Sequence, residues 1–251
     1  MINGNSSHQI IMPTLAGLDL AWKDHNPSAL AIGTLHERTL TLTHLYPAII
    51  GLPHLIAHLA AHPDLTGIAI DAPLIIPNAT GQRTCEVDLS ADYRRRKAAT
   101  HASNQTRYPN AFSVQLAKQL SAQGFSHLGR KRWQIECYPH PALIEILGLT
   151  ERHLYKKGRV ADKQHGQIAL ADYLKQLSQS AILALHLPDE IKPVLSAQHI
   201  HSLNGRALKT NEDALDAIIC LYIAALYQLS VPAMTYGDAQ AGYIWVPNIR
   251  C

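Results

Sequence analysis

The sequence predicts an α/β domain on a mixed five-stranded sheet, three antiparallel strands followed by parallel ones, with helices flanking it. Three observations carry this expectation: a run of three tightly joined strand-like segments, two apolar segments that each follow a helical pattern, and a mostly helical C-terminal part. At 251 residues the chain is long enough to bury one core, so residues 1–251 are expected to form a single domain.

Residues 14–22 (TLAGLDLAW), 28–35 (SALAIGTL) and 38–45 (RTLTLTHL) read as strands, separated by the turn-rich KDHNP and by a brief connection at His36 and Glu37. Links this short predict an antiparallel meander. GLPHLIAHLAAH has the apolar spacing of a helix, and GIAIDAPL, a short apolar run, reads as a buried strand after it. Residues 73–110 break the pattern with Pro73, Pro77, Gly81 and Pro109 around the basic run Tyr93–Lys97. They read as a basic insertion that holds at most one short helix and projects from the core. AFSVQLAKQLSAQG is a helix closed by Gly124, and RWQIECYPH is a second buried strand that stops at Pro139. Helices are expected over 141–149, 163–179, 188–200 and 211–229, with an extended YIWVP near the end.

Composition narrows the class. Hydrophobic residues make up 47% and charged residues 16%, which suits a folded globule, and no apolar run approaches the roughly 20 residues of a membrane helix. The start, MINGNSSHQIIMP, has neither a basic leader nor a small-residue cleavage site, so the cytoplasm is the expected location. Cys85, Cys137, Cys220 and Cys251 lack metal-type spacing and are expected as reduced thiols. Net charge is only +3, but residues 83–107 hold six Lys/Arg against three acids and residues 128–163 hold eight against four. Positive surface beside an acidic site is one reading of that split, and ordinary solvated faces are the other.

The acids are the informative residues. Asp19, Asp71 and Glu136 lie in or at the end of apolar strands, and Asp216 is the sole charged residue between Ala214 and Tyr227 in a helix apolar on nearly every side. An unpaired carboxylate in such a place costs several kcal/mol unless it meets a cation or takes a proton. Ligands bind outside the carboxyl ends of strands in α/β sheets. Acids converging there are reconciled by one or two hard divalent cations, Mg²⁺ or Mn²⁺, which can clamp a phosphodiester. Asp213 is an accessory ligand candidate on the same helical face.

Each acid also has a plainer role open to it. Asp19 could bond turn amides, Asp71 could cap the turn at Ala72–Pro73, and Glu136 could pair with Arg132. Thr210 to Asp213 matches a capping box that would occupy Asp213. His54, His58 and His62 recur every four residues, but Leu55 and Leu59 mark the buried face of that helix and leave the histidines on the wet one. His140 follows the Glu136 strand and is either near the site or structural. Tyr93 through Lys97, with Arg107 and Tyr108, mixes cations and rings as nucleic-acid surfaces do.

Taken together, GLDLAW at Asp19, AIDAPL at Asp71, GQRTCEVDL, IECYPHPAL at Glu136, LYKKG at 154–158, NEDALDAIICLYIAAL and the closing GYIWVP resemble the family of domain of unknown function 429, a predicted RNase H-like nuclease group. The resemblance implies an RNase H-like fold and catalytic, metal-holding roles for Asp19, Asp71, Glu136 and Asp216, with Asp213 as a further metal ligand. It also implies a nucleic-acid substrate, for whose binding Arg83, Arg94, Arg95, Arg96, Lys97, Tyr155 and Lys156 are the candidates. Two other readings stand beside a metal-dependent nuclease. One is a non-catalytic nucleic-acid-binding or scaffold protein with the same fold. The other is a phosphotransferase of the sugar-kinase and actin type, disfavoured because Leu20, Ala21 and Trp22 follow Asp19 where glycine and hydroxyl groups would hold phosphates.

Overall fold

The computed structural model describes residues 12–249. The chain runs β1 (Thr14–Asp19), β2 (Pro27–His36), β3 (Thr39–Ile50), α1 (Leu52–Ala60), β4 (Leu65–Asp71), α2 (Thr84–Tyr93), α3 (Phe112–Ala122), β5 (Ser126–His127), β6 (Trp133–Glu136), α4 (Pro139–Leu147), α5 (Val160–Gln176), β7 (Ala184–His186), α6 (Ala197–Ser202), α7 (Gly205–Gln228), β8 (Ala233–Asp238) and β9 (Gly242–Pro247). Most of the segment read for a leader, and Cys251, lie outside the described residues. Among the described residues no helix is long and apolar enough to cross a membrane.

The main sheet has the order β5-β6-β4-β1-β2-β3-β7. The β1–β2–β3 meander is antiparallel, and β4, β6, β5 and β7 add in parallel. The expectation of five strands is corrected to seven, because β5 and β7, at 2 and 3 residues, are too short to leave a periodic signal. The extended YIWVP is β9, which pairs with β8 in a separate hairpin.

Strand alternation sorts the core into two layers. Leu15, Ala29, Ala31, Ala69, Trp133 and Ile135 point to the face covered by α4, α5 and α7. Ala16, Leu18, Leu30, Ile32, Ile68 and Ile70 point to the face covered by α1 and α3, where Leu55 and Leu59 of α1 are buried as the histidine spacing implied. On the first face α7 approaches β1 very closely. A Cβ placed on Gly17 would stand 1.9 Å from the Leu221 amide nitrogen and 2.4 Å from the Ala217 carbonyl oxygen. Helix backbone therefore lies directly on strand backbone, and glycine is the one residue that leaves room.

Two helical expectations change. The single helix over 188–200 is instead a 3-10 turn at Lys192–Leu195 followed by α6. Pro193 sits in the first turn of the former, and Ser196 then caps α6 by accepting the His199 amide at 3.4 Å. The last helix begins at Gly205, with Asn204 as its cap residue, so Thr210 is mid-helix and the proposed capping box does not form.

The expectation that 73–110 projects from the core is also corrected. Cys85, Leu89 and Tyr93 of α2 bury against Tyr236, Ile244 and Val246 of the β8–β9 hairpin. The Arg83 guanidinium ties this unit to the sheet. It donates to Glu136 Oε1 at 2.6 Å and Oε2 at 2.9 Å, to Glu86 Oε1 at 2.9 Å and to the Ile75 carbonyl at 3.0 Å. Leu74 N–H donates to Glu136 at 2.9 Å, and Ser103 N–H to Glu86 at 3.1 Å.

Two substitutions test these contacts. Gly17→Ala must push α7 off β1 and is expected to lower stability by about 3 kcal/mol in denaturant unfolding; a loss under 1 kcal/mol would mean that α7 slides freely. Arg83→Met leaves Glu136 buried without its cation and should destabilise by roughly 3–5 kcal/mol. Adding Glu136→Gln, which still accepts from Leu74, should recover part of that loss in a double-mutant cycle.

Candidate functional site

Asp19 and Asp71 end adjacent parallel strands and are register partners, so both acids stand at the carboxyl end of the sheet. Alternation turns both toward α7. From Gly17 to Asp19 is a rise of about 6.6 Å along a strand, and from Cys220 back to Asp216 is about 6 Å along a helix. The close contact at Gly17 thus delivers Asp216 over Asp19. All three line or underlie a cavity of about 800 Å³, whose walls also hold Asp213, His140, Lys156 and Trp22.

The electrostatics follow from this convergence. Burial pushes the Asp19 carboxyl well above its usual range, and repulsion from Asp216, Asp71 and Asp213 adds to the effect while Lys156 opposes it. Burial likewise raises Asp71 to about 7, with Lys156 opposing and Asp216 reinforcing. Burial alone would lower the Lys156 ammonium, but Asp216, Tyr155, Asp19 and Asp71 hold its pKa well above the ordinary lysine value. Asp216 is fully buried. Its Oδ1 accepts the Tyr155 hydroxyl at 2.6 Å, and its Oδ2 lies 2.6 Å from Lys156 Nζ as an ion pair without the alignment of a hydrogen bond. Below the acids, Cys137 and Cys220 meet at 3.7 Å between sulfurs, both as free thiols.

Glu136 is where the structure departs most from the sequence expectation. It pairs in register with Ile70, not Asp71, and alternation places it on the opposite face of the sheet from Asp19 and Asp71. Its oxygens are taken by Arg83 and the Leu74 amide, and Arg132, the partner expected as an alternative, is not involved. Burial still raises its pKa, against the pull of Arg83. Asp213 is not a cap but the i+4 partner of Lys209, at 2.6 Å, on the cavity wall.

The substrate candidates divide similarly. Arg83 is only 3% exposed and spent on Glu136, while Tyr155 is 0% exposed and supports Asp216 from beneath. Arg96 pairs with Glu145 of α4 and the Leu149 carbonyl, and Lys97 pairs with Glu151, so they brace α4 and the segment after it. Arg94 and Arg95 are exposed but do not line the cavity. Of that set Tyr155 and Lys156 reach the acids, both at Asp216. Arg83, Tyr155 and Lys156 line the cavity together with Arg152, Lys157, Arg206 and Lys209, which sequence reading passed over. Arg152 and Lys157 were part of the basic count of 128–163, but nothing in it said which cations would face inward, and Arg206 and Lys209 lie outside that stretch. His140 does line the cavity, and burial, with Lys156 and Arg152 nearby, holds its pKa well below the ordinary value.

No curated protein matches the chain. Among solved structures, the human cytomegalovirus terminase nuclease domain is similar, with 14% sequence identity over 86% of this chain and 86% of that one and a TM-score of 0.30. The profile of a family described as protein of unknown function (DUF429) matches residues 17–240, from the close-packed glycine of β1 to the turn of the terminal hairpin. On a match of that extent, the chain belongs to the DUF429 family.

Proposed function

We propose that this protein is a metal-dependent nuclease of RNase H-like fold that hydrolyses phosphodiester bonds in nucleic acid. The observation that carries the reading is the gathering of Asp19, Asp71 and Asp216 on one sheet face at the carboxyl ends of β1 and β4. The fold reading draws support from the strand order β3-β2-β1-β4-β6, three antiparallel strands followed by two parallel ones.

The donor set fits Mg²⁺ or Mn²⁺: hard carboxylate oxygens, one of them without a hydrogen bond, that repel one another in a buried place. Among the described residues no three acid, histidine or cysteine groups already stand in coordinating positions, so binding would draw Asp19, Asp71 and Asp216 together and displace Lys156 from Asp216. A divalent ion held there supplies water activation and charge neutralisation at the phosphodiester. Tyr155 keeps the Asp216 carboxylate oriented, while Arg152, Lys157 and Arg206 on the cavity wall would receive flanking phosphates.

The second reading, a non-catalytic nucleic-acid-binding protein, draws support from Lys156. With its ammonium against Asp216, the acids have a counter-cation built into the chain. The two readings differ in the laboratory. For the nuclease, millimolar Mg²⁺ or Mn²⁺ should raise Tm and switch on cleavage in a panel of DNA, RNA, hybrid and branched substrates, and Asp19→Asn should abolish both effects. Binding without cleavage, and no metal-induced shift in Tm, selects the second reading.

A pH dependence follows from Asp71. Its folded pKa of about 7 lies above the 3.8 of an ordinary aspartate, so without metal the wild type loses stability as pH rises from about 4 to 7, where the unfolded chain is ionised and the folded carboxyl is not. Asp71→Asn lacks this loss. Its stability relative to wild type should therefore climb by up to about 1.4 kcal/mol per pH unit in that window, as read by urea unfolding in chelator. A flat difference would show that Asp71 is not held protonated by its surroundings.

A further inference from the structure

Three residues beyond Asp19, Trp22 forms part of the cavity wall with 51% of its surface exposed. A single exposed apolar side chain is ordinary, but this ring is fixed in place. It stacks on Tyr108, with centroids 4.5 Å apart and planes inclined by 21°, and the Arg107 guanidinium lies 5.7 Å from the Tyr108 ring centre. The insertion therefore contributes a second ring to a platform whose first ring follows β1. Trp133 and Trp245, by contrast, are buried at 1% and 5% exposure. His25, Asn26 and His101 line the same cavity, as do the cations Arg152 and Arg206.

A flat aromatic surface held by a stacked neighbour, open to a cavity that cations also line, matches the chemistry of a nucleobase joined to phosphates. A base stacks on such a surface with one whole face, which a base inside a continuous duplex cannot offer because both faces are covered by its neighbours. We infer that Trp22, backed by Tyr108, is a base-stacking platform, and that the site takes unpaired nucleotides: a single strand, or a single-stranded segment next to a duplex. This rests on the nuclease reading for the direction of the phosphates toward the acids, but the platform has its own readout. Trp22 positions the strand and touches no reacting atom, so its loss should act on binding.

The test is a binding titration in chelator, where nothing is cut. Fluorescently labelled single-stranded oligonucleotides of thymidine and adenosine are compared with a closed dumbbell duplex of equal length by anisotropy. Because Trp22 is the exposed tryptophan among three, saturable quenching of protein fluorescence reports on it directly. The expected result is tighter binding of the single strands, quenching on titration, and an affinity loss of roughly 5- to 150-fold in Trp22→Ala, with Trp22→Phe retaining most of the affinity. Melting curves of both variants should match wild type, which separates a stacking role from a folding one. Equal affinity for the dumbbell, or unchanged single-strand affinity in Trp22→Ala, overturns the platform. Adding Mg²⁺ then separates the two ideas: Trp22-dependent binding without cleavage removes the nuclease reading and keeps the platform, whereas equal cleavage of closed duplex and single strand keeps the nuclease and removes the platform.

Discussion

The backbone contact between α7 and β1 at Gly17 is the constraint on which the site depends. Helices commonly pack through interposed side chains, which keep the axes of two helices about 8–10 Å apart. Here the absent Cβ brings the Leu221 amide and the Ala217 carbonyl onto the strand itself. Because α7 is buried along nearly its whole length from Leu208 to Leu226, its position is fixed by the core and cannot adjust to suit the acids. The acids are instead placed by it: Asp216 above Asp19, with Asp213 one turn nearer the cavity mouth. A second glycine, Gly67, makes room for a side chain instead: the Trp133 indole lies over it, 2.1 Å from where a Cβ would stand.

Convergence of that kind is costly, and the chain offsets it with Lys156. The lysine reaches in from the segment between α4 and α5, next to Tyr155, so two neighbouring residues grip both oxygens of Asp216. Among the described residues no side chain grips Asp19 or Asp71 in this way, and burial raises both carboxyls against the pull of Lys156. The asymmetry gives the site a proton-accepting half and a paired half. On the opposite face, Glu136 is neutralised by Arg83, so the two sides of the same strand ends handle buried charge by different means.

Much of this was legible in the sequence because it rests on period and burial. The meander, the two crossover strands and the apolar last helix each carry strong local patterns, and an acid inside an apolar run announces itself whatever the fold. Asp19, Asp71 and Asp216 were found that way. Glu136 was found by the same signal, but burial marks an acid as special without saying which face it points to: it lines the cavity while its oxygens are taken by Arg83, and one residue of register separates it from Cys137, on the face of the other acids. The basic run at 94–97 misled for a related reason. Clustered cations are conspicuous in sequence, yet Arg96 and Lys97 brace α4 and the segment after it, while the cations on the cavity are scattered at Arg152, Lys157 and Arg206 and meet only through the fold. The short strands β5 and β7 leave no pattern because two or three residues contain no period.

The Arg83 network has a further consequence, for cooperativity. A single guanidinium joins the exit of β4, the end of β6 and the first turn of α2, and the hairpin of β8 and β9 packs on that helix. A peripheral segment held only by surface contacts would open by itself long before the core. This one is fastened through a buried charge, and releasing it would strand Glu136 in the protein interior. The amides of Leu74 and Ser103, which donate into the network, should therefore exchange with solvent at rates set by global unfolding, and the wall of the cavity should share the lifetime of the sheet.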